Sequence, residues 1–116
     1  MQIFSKLSQE KQWEYFYTTL ELDYAIGGKY LFFSQDREVL KQIAYSELNS
    51  GKFQFCKISL SKVKDYVLCL YYPDNRLKFY LADKYIDNPS VKYRYWKSEQ
   101  DTINGKYSQL YLDSLE

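Results

Sequence analysis

Two lysines stand where chemistry would gather. Residues 52–60 alternate as a strand does, placing Phe53, Phe55, Lys57 and Ser59 on one face and Gln54, Cys56, Ile58 and Leu60 on the other. Residues 91–97 alternate as well, so Val91, Tyr93, Tyr95 and Lys97 share a face opposite Lys92, Arg94 and Trp96. Amines set among aromatic rings suit a phosphate-bearing ligand, because the amine neutralises phosphate and the ring stacks on a base. Lys57, Arg94, Lys97 and Lys106 are the expected phosphate contacts, and Tyr93, Tyr95 and Trp96 the expected stacking groups. Arg94 and Trp96 fall opposite Lys97, so one shared pocket requires a bulge or an edge. The same stripes equally suit packing, since aromatic residues are good strand formers.

Other chemistries find little support. The chain has no His, which removes Ser-His-Asp and Cys-His catalysis, His-ligated zinc and the commonest general base near neutral pH. Its two cysteines are too few for a disulfide framework or a four-thiolate site. Cys56 and Cys69 lie in apolar runs and read as reduced, buried thiols, with a bridge between neighbouring strands as the alternative. Gly27-Gly28 precedes a strand rather than a helix, so it is no phosphate-binding glycine loop. The carboxylates from Asp65 to Asp101 lack calcium-loop spacing. No cofactor or metal is expected, and the balance leans away from an enzyme.

The elements that must position these residues follow from periodicity and breakers. Ser8 to Trp13 reads as a helix start with Ser8 as N-cap, giving an N-terminal helix within residues 1–14. Residues 14–22 fit a strand or a continuation of that helix. Residues 29–33 read as a strand buried on both faces. Residues 34–49 are the strongest helix, with Ser34 as cap and an apolar stripe at Val39, Leu40, Ile43, Ala44 and Leu48. A strand over 52–60, a polar connector over 61–65 and a strand over 66–72 follow. Pro73-Asp74-Asn75 caps a helix running to Tyr85, with Leu77, Leu81 and Tyr85 on one stripe flanked by Tyr80. Strands over 91–97 and 106–112 enclose a polar loop. Strands outnumber helices, and several connections are too short for parallel crossovers. An α+β domain is expected, a mostly antiparallel curved sheet of about five or six strands with two or three helices on one face. The 116 residues form a single domain with its core at 28–112.

Charge is uneven along the chain. The net charge is +1, yet residues 52–106 carry eleven basic and six acidic groups. This segment suits an anionic ligand, although no Lys/Arg run of the nucleic-acid-binding kind is present. The first eight residues lack the apolar core of a signal peptide, and no run approaches a membrane span. A cytoplasmic protein with no membrane association is expected. Exposed aromatic strands admit a homodimer.

One ordered set of segments carries a family resemblance. Gly28-Lys-Tyr-Leu-Phe-Phe33, then Lys57-Ile-Ser59, Val67-Leu-Cys-Leu-Tyr71 with Asp74, and Trp96-Lys97…Thr102…Gly105-Lys-Tyr107 follow in sequence. The series resembles the basophilic leukaemia-expressed protein family, labelled a phosphothreonine lyase domain, over about residues 28–108. The resemblance implies a fold similar to the cap-binding translation initiation factor, a curved antiparallel sheet backed by helices. It marks Lys57, Ser59, Tyr71, Lys97, Thr102 and Tyr107 as candidate site positions. Trp96 stands where the family pattern has Tyr. Phosphothreonine lyases pair a Lys base with a His acid, and in this His-free chain Tyr or a second Lys would have to substitute.

The leading expectation is thus a binding module for a nucleotide or short nucleic acid, its ligand set being Lys57, Ser59, Tyr71, Tyr93, Arg94, Tyr95, Trp96, Lys97, Thr102, Lys106 and Tyr107. The alternatives are a small protein-binding adaptor or inhibitor, such as a host-defence antagonist, and a His-free enzyme acting on a phosphorylated or nucleotide substrate.

Overall fold

The computed structural model describes residues 2–98, the Tyr95 side chain excepted. It contains strands β1 (Phe4–Leu7), β2 (Trp13–Tyr17), β3 (Gly28–Ser34), β4 (Phe55–Ser59), β5 (Tyr66–Tyr72) and β6 (Lys92–Ser98), with helices α1 (Arg37–Asn49) and α2 (Lys78–Tyr85). The architecture is α+β. The strands form one sheet in the order β1-β2-β4-β5-β3-β6, and every neighbouring pair is antiparallel. The strand expected over residues 106–112 lies outside the described residues.

The expected N-terminal helix is instead a hairpin of β1 and β2. Trp13, Tyr15 and Tyr17 alternate with Glu14 and Phe16, and this period of two prevails over the helical start. Ser8 caps the turn: its Oγ accepts from the Gln12 and Trp13 N–H groups, and its own N–H donates to the Trp13 carbonyl. Lys11 takes a left-handed φ of 56° inside this turn. The sheet core therefore extends well before residue 28, with Phe16 fully buried in it.

Helix α1 begins two residues later than expected. Asp36, not Ser34, is the N-cap, and its carboxylate accepts from the Glu38 N–H. Ser34 ends β3; its Oγ accepts from the Asp36 N–H and donates to the Ser90 carbonyl. Leu40, Ile43, Ala44 and Leu48 are buried against the sheet, each such leucine stabilising the fold by about 1.5–3 kcal/mol. Helix α2 begins at Lys78 rather than Asn75, because Asp74 folds back on the Arg76 N–H and guanidinium as a turn. The Tyr30 hydroxyl anchors that turn, donating to the Asp74 carbonyl and accepting from the Leu77 N–H.

Both helices pack on one face of the sheet, over Phe16, Tyr30, Phe32, Cys56, Ile58 and Leu68. The opposite face has its own apolar centre of Tyr15, Phe55, Cys69 and Tyr71, with Ile26 packed on it. Cys56 and Cys69 belong to different faces and are both buried, with no disulfide between them, as the reduced-thiol expectation had it. Burial pushes the Cys56 thiol well above its usual range. Phe53 does not share a face with Phe55. It precedes β4 and packs on the helix side, edge-on to Tyr30 at 5.9 Å between ring centroids.

Candidate functional site

The register of the sheet decides which side chains can meet. On the face away from the helices, one row runs Phe4, Tyr17, Phe55, Tyr71, Lys29, Lys97 across the strands. A second row contains Lys6, Tyr15, Lys57, Cys69 and Leu31. Lys57 and Lys97 therefore do share a face, but three strand spacings, roughly 14 Å, separate them. They do not converge on one small pocket.

The middle of this face is packed. Tyr71 is fully buried, and Lys57 and Ser59 are 8% and 9% exposed. The Lys57 Nζ lies 3.9 Å from the Trp13 ring centroid, and the Tyr71 ring lies between the amines of Lys29 and Lys57 at 5.9 and 6.0 Å. The Ser59 Oγ accepts from the Val67 N–H, closing the start of β5. These three expected site residues thus sit inside the structure, where the aromatic stripe does packing.

Strand β6 behaves otherwise. Its register on β3 shifts between Tyr30 and Phe32, so Arg94 and Tyr95 together oppose Leu31. Without this bulge Tyr93 and Lys97 would share a face. With it, Tyr93 and Trp96 both turn to the helix side, the former 4.9 Å from Phe32 and the latter 4.9 Å from Tyr30 between ring centroids. Arg94 lays its guanidinium 5.3 Å over the Phe33 ring on the other side, where Lys92 and Lys97 also stand. Gly28 makes room for this arrangement, since a Cβ there would lie 2.4 Å from the Trp96 ring and from the Lys97 carbonyl.

The bulge opens a groove of about 260 Å³ between α2 and β6, lined by Lys78, Phe79, Ala82, Tyr93, Arg94 and Trp96. Three of the expected site residues meet here. Phe79 is 70% exposed and Trp96 half-buried, so both rings border the groove. Lys78 supplies positive charge, and Arg94 borders the groove while its guanidinium turns to Phe33. Tyr93 adds a buried hydroxyl with no hydrogen-bond partner among the described residues, and burial raises its pKa. A groove of this kind can stack on a flat apolar ring and neutralise an attached anion. Among the described residues no cluster suits a metal ion.

Helix α2 is fixed from behind. Glu47 on α1 is fully buried, and its carboxylate accepts from the Tyr80 and Tyr85 hydroxyls at 2.8 and 2.5 Å and from the Lys84 Nζ at 2.7 Å. These bonds hold the inner side of α2, which turns Phe79 outward. Lys78, Phe79 and Ala82 were not anticipated as site residues. The signal was there: Phe79 and Ile86 are apolar, seven residues apart, and off the stripe of Leu77, Leu81 and Tyr85. Lys29 was missed because its strand reads as buried on both faces. Thr102, Lys106 and Tyr107 lie outside the described residues, as does the Tyr95 side chain.

Comparison with family models, with curated proteins and with solved structures finds no match to this chain. No helix among the described residues is long and apolar enough to cross a membrane.

Proposed function

We propose that this protein is a binding module for a phosphate-bearing ligand, a nucleotide or short nucleic acid, held in the groove between α2 and β6. The observation that carries the reading is the convergence of Trp96, Phe79 and Tyr93 with Lys78 and Arg94 around one opening of about 260 Å³. The base stacks against Trp96 and Phe79, and the phosphate meets Lys78. The Tyr93 hydroxyl gains an acceptor on the ligand. Dispersed carboxylates and the absence of His favour binding over turnover.

The test is equilibrium titration with AMP, GMP, CMP, UMP and inorganic phosphate at low and moderate salt, alongside thermal melting. At least one nucleotide binds and raises Tm, and inorganic phosphate alone binds more weakly. Phe79→Ala weakens nucleotide affinity about 5- to 100-fold, the range of one lost stacking contact, while leaving Tm nearly unchanged. No binding by any nucleotide or oligonucleotide would overturn the reading.

The outer stripe of α2 favours a second reading, a small protein-binding adaptor or inhibitor. Phe79 and Ile86 are 70% and 75% exposed one helical face apart from the core stripe. A stoichiometric protein partner lost in Ile86→Asp and retained in Arg94→Ala would favour it.

A further inference from the structure

Strand β6 sorts its side chains by chemistry. The bulge sends Tyr93 and Trp96 to the groove side, while Lys92, Arg94 and Lys97 stand exposed on the other side of the same strand. Lys92 pairs with Phe33 and Lys97 with Lys29, so a fourth cation flanks the row. No strand places a carboxylate on this face. Glu14 is the single acidic residue in the six described strands; it turns to the helix side and is bound to Arg37 at 2.5 Å. The ion pairs among the described residues engage Arg37, Arg76 and Lys84, and none involves Lys92, Arg94 or Lys97.

Dimension narrows the ligand. Lys92 and Lys97 are five residues apart on an extended strand, about 15 Å once the bulge is allowed for. The phosphate of one mononucleotide cannot reach the whole row. A chain of phosphates can, and Arg94 borders both the row and the groove. Bases reach the groove only when they are unpaired.

Building on the proposed nucleotide reading, we infer that the ligand is a single-stranded oligonucleotide, its backbone tracked by Lys92, Arg94 and Lys97 and its bases stacked in the groove at Trp96 and Phe79. With the cations on the backbone and the bases held by stacking, recognition is tolerant of sequence. Binding weakens with salt in proportion to the phosphates neutralised.

The experiment compares thymidine monophosphate with oligothymidylates of two, four and eight residues, a duplex of eight base pairs and an octaglutamate, at about 50 and about 200 mM salt. Proteins are the full chain, Lys92→Ala/Lys97→Ala and Phe79→Ala. Affinity is expected to rise at least tenfold from monophosphate to octamer. The double variant should lose that rise, keep monophosphate binding and Tm, and flatten the salt slope by about 1.4, two single-strand phosphate contacts. Phe79→Ala should weaken every nucleotide ligand. Equal affinity for monophosphate and octamer would overturn the inference and leave the nucleotide reading standing. So would equal binding of the duplex or the octaglutamate, since neither offers unpaired bases. Failure of every nucleotide and oligonucleotide would overturn both.

Discussion

Gly28 and Tyr93 show how closely fold and site are joined at single positions. A Cβ at Gly28 would meet the Trp96 ring and the Lys97 backbone carbonyl, both at 2.4 Å. The carbonyl belongs to the paired strand and cannot swing away as a side-chain tip does. Gly28→Ala should therefore cost about 3 kcal/mol or more and shift β6, measured by denaturant unfolding. Nucleotide affinity should fall with it, because Trp96 loses its seat. Tyr93 makes the opposite case. Its buried hydroxyl lacks a partner among the described residues, and such a group costs about 1–3 kcal/mol. Tyr93→Phe should stabilise the unliganded protein by about 1 kcal/mol in thermal melting while weakening nucleotide binding. A variant that is more stable yet binds less is the mark of a polar group kept for a ligand.

At the scale of elements, α2 is the piece on which the groove depends. Its N-terminal turn hangs on the Tyr30 hydroxyl, and its inner side on Glu47. Removing Glu47 strips three donors of their acceptor at once. Glu47→Ala should cost about 3 kcal/mol in chemical denaturation, and Glu47→Gln, which keeps one carbonyl oxygen, clearly less. The elements also show what sequence reveals. Strand β5 appears with its bounds intact because residues 66–72 are continuously apolar and end at Pro73. The α1 stripe is equally plain. The β1–β2 turn was hidden because Ser8 caps a hairpin and a helix through the same kind of bond to downstream N–H groups. The bulge in β6 was hidden because it changes which residues share a face without changing composition. Side-chain alternation assumes an unbroken ladder, and two residues opposite Leu31 break it. That single insertion brings Tyr93 and Trp96 together at the groove and parts Tyr93 from Lys97.

Across the whole molecule, the surplus of 14 tyrosines and absence of histidine set the response to pH. No side chain has its ordinary titration near neutrality, so stability should be nearly flat from about pH 6 to about pH 8. The alkaline side differs. Burial raises the Tyr24, Tyr30 and Tyr85 pKa values, Tyr30 to about 12. At Lys84 partial burial pulls the pKa down, but the bonds to Glu47 and Tyr80 outweigh it and the net shift is upward. All four groups hold their protons more tightly folded than unfolded. Their contribution is complete below the unfolded tyrosine and lysine values near pH 10, and is lost as pH rises toward the folded values. Tyr30, fully buried, alone steepens the decline by up to about 1.4 kcal/mol per pH unit in that window. Denaturant midpoints should therefore hold steady to about pH 8, begin to fall as the unfolded chain's Cys56 thiol ionises at about pH 8.5, and fall sharply from about pH 10. The ultraviolet signal of tyrosinate should rise in two stages, exposed rings first and the buried set only on unfolding. Tyr30→Phe removes the hydroxyl that ties α2 to β3. It should lower stability at neutral pH and make the alkaline decline shallower. A decline unchanged in slope would place the loss in other groups.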